Sequence, residues 1–146
     1  MKNKEFSLQL EHRTKKFAID ILRLSAQVPG SYEGRVIRNQ ISKSGTSIGA
    51  NYREANRARS NADFKNKIKI SEGEASETLY WLEIIEEMKW VSPETLLTTT
   101  KEAKELLAIF TSISKRMSEK LEVLSFKLKV KSYKLQVSSY KFQVSS

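Results

Sequence analysis

The chain has 146 residues, no cysteine and one histidine, and its 26 lysines and arginines against 17 acids leave a net charge of +9. That length suits a single domain with a real core, and the missing cysteines exclude disulfides, a thiolate nucleophile and a cysteine-ligated zinc. No stretch approaches the ~20 apolar residues of a membrane span, and the N-terminus lacks the apolar run of a signal peptide, so a cytoplasmic protein with no membrane partner is expected.

The first helix is read over residues 7–28. Phe17, Ile21, Leu24 and Val28 make its apolar stripe, widened by Ala18 and Leu22, with Arg13, Lys15, Lys16 and Arg23 outside it. Val28-Pro29-Gly30-Ser31 ends it, because proline disfavours helix before it and glycine permits a turn.

The second helix falls within Gly34–Arg59 and organises the chain. Ile37, Ile41, Ser44, Ile48, Tyr52 and Ala55 recur at spacings of three and four and share a stripe roughly 80° wide. Arg35, Arg53 and Arg57 project on the opposite side with Lys43 beside them. Gly45 and Gly49 each cost a helix about 1 kcal/mol relative to alanine, and close approach of a neighbouring helix is the expected compensation. Ser60 or Asn61 can cap the helix that follows.

The third helix, about 62–90, carries two stripes. Phe64, Ile68, Ser71, Ala75, Leu79, Leu82 and either Ile85 or Glu86 form its core face. Ile70, Glu74, Glu77, Trp81, Ile84 and Met88 form a second, offset by roughly 240°. Apolar side chains gathered on a second face mark an interface, and these six are read as a subunit contact. Glu74 and Glu77, if buried there, need cationic or hydrogen-bonding partners, and the arginines of the second helix are the obvious candidates. Ser92, Pro93 and Glu94 start a fourth helix that is expected to run to about Leu124.

Four amphipathic helices with short connections predict an all-α, antiparallel up-down-up-down four-helix bundle over 1–124. Residues 125–146 form a separate tail of near-identical seven-residue units, FKLKVKS-YKLQVSS-YKFQVSS, with five lysines and no acid. Apolar and polar residues alternate within each unit, at strand period. The alternation flips at each boundary because seven is odd, so no long strand keeps one apolar face. A flexible or weakly β appendage is the expectation. Interleaved lysines and aromatics can contact RNA, and repetitive DNA read into frame would give the same pattern.

Charge divides the bundle as well. Residues 34–59 hold six bases against one acid, and residues 72–87 hold six glutamates and no base. Basic segments suit nucleic acid, unless opposite charges simply pair within or between subunits. Catalytic apparatus is missing: there is no phosphate-cradling glycine loop and no Glu-x-x-His pair, and no histidine lies near the serines of the second helix. No enzyme, cofactor or metal is expected.

The segments IRNQISKSGTSIGANYREA (37–55), DFKNKIKIS (63–71) and EASETLYWLEII (74–85) resemble the small bacterial proteins encoded in intervening sequences of 23S ribosomal RNA genes, the S23-type family. The accessory protein of diversity-generating retroelements is related to them. The resemblance covers roughly residues 10–122 and omits the repeat tail. It implies an antiparallel four-helix bundle assembled as a homopentamer, and in the retroelement protein a basic surface that binds nucleic acid and a reverse transcriptase.

Together these readings give a non-enzymatic oligomer that binds structured RNA through Arg35, Lys43, Arg53, Arg57, Arg59, Lys65 and Lys69. The alternative is an adaptor that binds a protein partner and has no RNA site. Asn51 is expected to hydrogen-bond between helices.

Overall fold

The computed structural model describes residues 2–145, with side chains from Lys4 onward. Four helices follow one another: α1 (Lys2–Gln27), α2 (Tyr32–Ala55), α3 (Asn61–Glu87) and α4 (Pro93–Ser145). Each packs on the next in sequence, and α1 touches α4 more lightly. Short connections between antiparallel neighbours give the expected bundle, with no strand among the described residues.

The caps are local chemistry. Ser31 Oγ accepts from the backbone N–H of Gly34 at 3.1 Å, and Ser60 Oγ from that of Asp63 at 3.1 Å, each satisfying a donor in an open first turn. Gly34 has no alternative residue, since a Cβ there would lie 1.9 Å from the Pro29 carbonyl oxygen. At the end of α3, Lys89 adopts a positive φ of 55°. Its N–H reaches the Glu86 carbonyl and that of Trp90 the Ile85 carbonyl, closing the helix with paired backbone bonds. The second helix stops at Ala55, short of Ser60, so Arg57 and Arg59 belong to the α2–α3 turn.

At the centre of the bundle, Tyr52 of α2 meets Phe110 of α4 edge to face, with ring centroids 5.5 Å apart. Phe17, Ile21, Leu24, Ile41, Ile48, Ile68, Leu82, Ile85 and Leu106 are buried around that pair. The expected α2 face is confirmed, with Ile41, Ser44, Ile48, Tyr52 and Ala55 all buried. On α3, Ile85 faces the core and Glu86 faces out. Leu22 of α1 is exposed, outside the stripe to which its spacing assigns it.

Small residues set the helix spacing. A Cβ on Gly45 would come within 2.7 Å of Ile21 Cγ2, and one on Gly49 within 2.9 Å of Thr14 Oγ1. The close approach expected of these glycines is therefore made by α1. On the α3 side, Ser71 Oγ donates to the Ile48 carbonyl and Thr78 Oγ1 to Ser44 Oγ, each at 2.9 Å. Asn51 does not bridge helices; its side-chain amide donates to the Ser47 carbonyl one turn back in α2.

The repeat tail corrects the expectation of a flexible or weakly β segment. Helix α4 continues unbroken through it to Ser145; Ser146 lies outside the described residues. No glycine or proline occurs after Pro93. Seven residues turn a helix through about 700°, only ~20° short of two full turns, so the repeat stacks like residues on like. Helix period, and not the strand-like alternation inside one unit, is the period that survives across the units.

Candidate functional site

Three of the expected RNA contacts gather at one end of the bundle. Arg57 and Arg59 sit exposed in the α2–α3 turn, and Lys65 is half-buried in the next helical turns. None of the three holds an ion pair among the described residues. Two helices end and begin there, so the cations are displayed on a short, held segment. A shallow notch lined by Asn56, Ala58, Arg59, Asn61 and Phe64 opens at the same turn.

The other expected contacts lie apart from that cluster. Arg53 is 4.0 Å from Glu11 of α1, which also accepts from the Asn56 amide at 2.9 Å. It borders a groove of about 330 Å³ between α1 and α2, floored by Gly49 and Ala50 and edged by Glu11, Lys15 and Glu54. Arg35 stands 18 residues before Arg53 in the same helix, about 27 Å away along its axis. Lys69 is exposed on α3. Lys43 lies near Glu74 and favours its ionised form.

The second α3 stripe is only partly covered. Ile70 and Met88 are exposed, and Glu74, Trp81 and Ile84 are half-buried. Trp81 Nε1 donates to Glu77 Oε1 at 3.1 Å, and Tyr80 packs edge-on to the Trp81 ring. Burial pushes the Glu74 carboxyl above the usual carboxylate range; neighbouring Glu77 adds to this and Lys43 opposes it. Among the described residues no arginine of α2 forms an ion pair with either glutamate, and the cation that acts on Glu74 is Lys43.

One ion-pair cluster has no sequence signal. Arg13 of α1 donates from Nε to Glu102 (2.6 Å) and from Nη2 to the other oxygen of Glu102 (2.9 Å), and Nη2 also bonds Glu105. This fork ties α1 to α4 where their packing is lightest. It holds the guanidinium still more firmly charged.

No group of three or more histidine, aspartate or glutamate side chains that could hold a metal ion occurs among the described residues. His12 is exposed. Among the described residues no helix is long and apolar enough to cross a membrane. Fold and surface thus define a class: a small antiparallel helical bundle with a cationic turn at one end and a half-covered apolar face along α3.

Within that class the chain belongs to the 23S rRNA-intervening sequence protein family, whose model matches residues 7–112. A solved structure similar to it is a protein of unknown function from the S23 ribosomal protein family of Bacteroides thetaiotaomicron. The two are 37% identical with a TM-score of 0.67, over 72% of this chain and 97% of that one. No curated protein matches the chain. The far part of α4 lies beyond the family match.

Proposed function

We propose that this protein is a non-enzymatic assembly subunit that holds structured RNA through the α2–α3 end of its bundle. The observation that carries the reading is the exposed Arg57–Arg59 turn, free of ion pairs among the described residues, with Lys65 beside it. Such a cluster binds phosphate oxygens through charge, with little base readout and a steep dependence on salt. Arg53, already beside Glu11, contributes less, and Arg35 sits too far away to share one short contact.

Self-association through the α3 stripe is a second part of the reading. It is supported by Ile70, Trp81 and Met88 on one face with two carboxylates that hold no ion pair among the described residues. An adaptor with no RNA site is the competing outcome.

The test is fluorescence polarisation of the full chain against labelled 23S ribosomal RNA fragments and unrelated structured RNA, at low and at physiological salt. Arg57→Glu combined with Arg59→Glu is expected to weaken binding at least tenfold. The salt dependence should flatten by about 0.9 for each phosphate the variant no longer neutralises. Thermal unfolding of that variant should match the parent. Equal binding by parent and variant, or none by either, overturns the RNA reading.

A further inference from the structure

Beyond the family match, α4 runs on as a bare arm. From Glu122 onward every described residue is exposed except Val130 and Val137, which have ring side chains three and four residues away. Phe126, Tyr133 and Tyr140 are each 68% exposed and Phe142 76%. The arm is nevertheless patterned. Val123, Phe126, Val130, Tyr133, Val137, Tyr140 and Val144 alternate spacings of three and four, the seam of a two-helix contact with valine and aromatic rows. Lys127, Lys134 and Lys141 run along one flank of that seam. Apolar side chains gathered in one exposed seam mark an interface, so such a seam calls for a neighbour.

The arm cannot fold back on its own bundle. Thr111 of α4 donates to Glu72 of α3 at 3.0 Å, and because the two helices are antiparallel α4 passes the start of α3 near residue 122. The arm then projects beyond the α2–α3 turn, with no glycine or proline at which to reverse. Two arms pairing together would set lysine rows beside lysine rows with no acid to offset them. The exposed apolar residues of α1, Phe6, Leu8, Ile19 and Leu22, lie on a helix with six bases against three acids, a net positive surface that disfavours the lysine-rich arm.

The α3 stripe has the opposite character. Between Ile70 and Met88 it spans about 27 Å, close to the ~30 Å length of the arm's seam. Glu74 and Glu77 lie inside it, and the segment 72–87 has no basic residue.

We propose that the arm of α4 docks along the α3 outer face of a second copy of this chain, its valine–aromatic seam on Ile70, Trp81 and Met88 and its lysine row beside Glu74 and Glu77. This rests on the reading of that face as a subunit contact and names the segment that covers it. Because donor and acceptor surfaces differ, the contact is head-to-tail, and it grows into a ring or a filament according to whether the rotation closes.

Two measurements on the full chain test it. Its lack of cysteine allows single thiols to be placed at will. Gln136→Cys on the arm and Tyr80→Cys beside the stripe, mixed and treated with a flexible bis-maleimide, should give a two-chain product that neither variant gives alone. Sedimentation equilibrium then compares the parent, Trp81→Ala, and the combined Lys127→Glu, Lys134→Glu and Lys141→Glu chain. Both variants should move to smaller species, the lysine variant with roughly tenfold weaker association.

An assembly broken by Trp81→Ala but untouched by the lysine variant keeps the α3 contact and overturns the arm. A parent that is assembled, with neither variant changing it, overturns both. So does a parent that stays monomeric. Cross-linking of Gln136→Cys to itself assigns the arm to its own twin and sinks the proposal. Loss of RNA binding in the lysine variant with unchanged mass sinks it in favour of an RNA-contacting arm.

Discussion

The two halves of α4 share one helix and one apolar spacing, yet they live in opposite surroundings. From Pro93 to Ser114 the helix buries Leu96, Thr99, Ala103, Leu106, Phe110 and Ser114 against its neighbours. From Glu122 to Ser145 it presents equally large side chains to solvent. Helix formation answers to local propensity and to the absence of breakers, whereas burial answers to whether another helix lies alongside. Periodicity announces a contact face in both halves, and only topology says whether the chain itself fills it.

The sharpest break of that comparison uses the same residue type twice in one helix. Phe110 is fully buried and Phe126 is 68% exposed. Phe110→Ala should cost about 3–5 kcal/mol. Phe126→Ala in dilute protein should stay within about 0.5 kcal/mol of the parent. Urea unfolding followed by the fluorescence of Trp81 and Trp90 measures both; a large loss from Phe126→Ala would mean the arm is packed within its own chain.

Gly34→Ala comes next. The Pro29 carbonyl oxygen occupies the place of the added methyl, and this first connection must open to admit it. A loss of about 2–3 kcal/mol is expected, read from the thermal midpoint by circular dichroism. A variant as stable as the parent would show that the turn is free to move.

The smallest effect should be a gain. Lys89 holds a positive φ that glycine adopts without strain, so Lys89→Gly should stabilise the bundle by about 1 kcal/mol in the same melt. A lower midpoint would show that the lysine side chain contributes something the backbone bonds do not.

Much of the bundle is legible in the sequence because its faces are periodic. Ile41, Ser44, Ile48, Tyr52 and Ala55 can be placed inward from spacing alone, and Gly45 and Gly49 announce a close approach. The arm misleads because alternation within one seven-residue unit imitates a strand; stacking the units end to end at helix pitch brings out the seam instead. Arg13 with Glu102 and Glu105 leaves no trace, since the partners lie about ninety positions apart and neither end stands out locally. Of the expected basic site, spacing groups residues on one helix face but does not reveal that α2 stops at Ala55, which turns Arg57 and Arg59 out of that face and into a turn.

The hydroxyls between α2 and α3 carry one more consequence. Thr78 and Ser71 are fully buried, and each donates to α2 at one position only, Ser44 and the Ile48 carbonyl. Sliding α3 by one turn, about 5.4 Å, would keep most of the apolar surface covered but move both hydroxyls off these acceptors. Thr78 also donates to the Glu74 carbonyl of its own helix at 2.8 Å and would keep that partner. The donor left unmet is Ser71, at about 1–3 kcal/mol, which penalises each neighbouring alignment by several-fold to about a hundredfold in population. Oily contacts bring these two helices together, and one small alcohol on α3 sets where they stop.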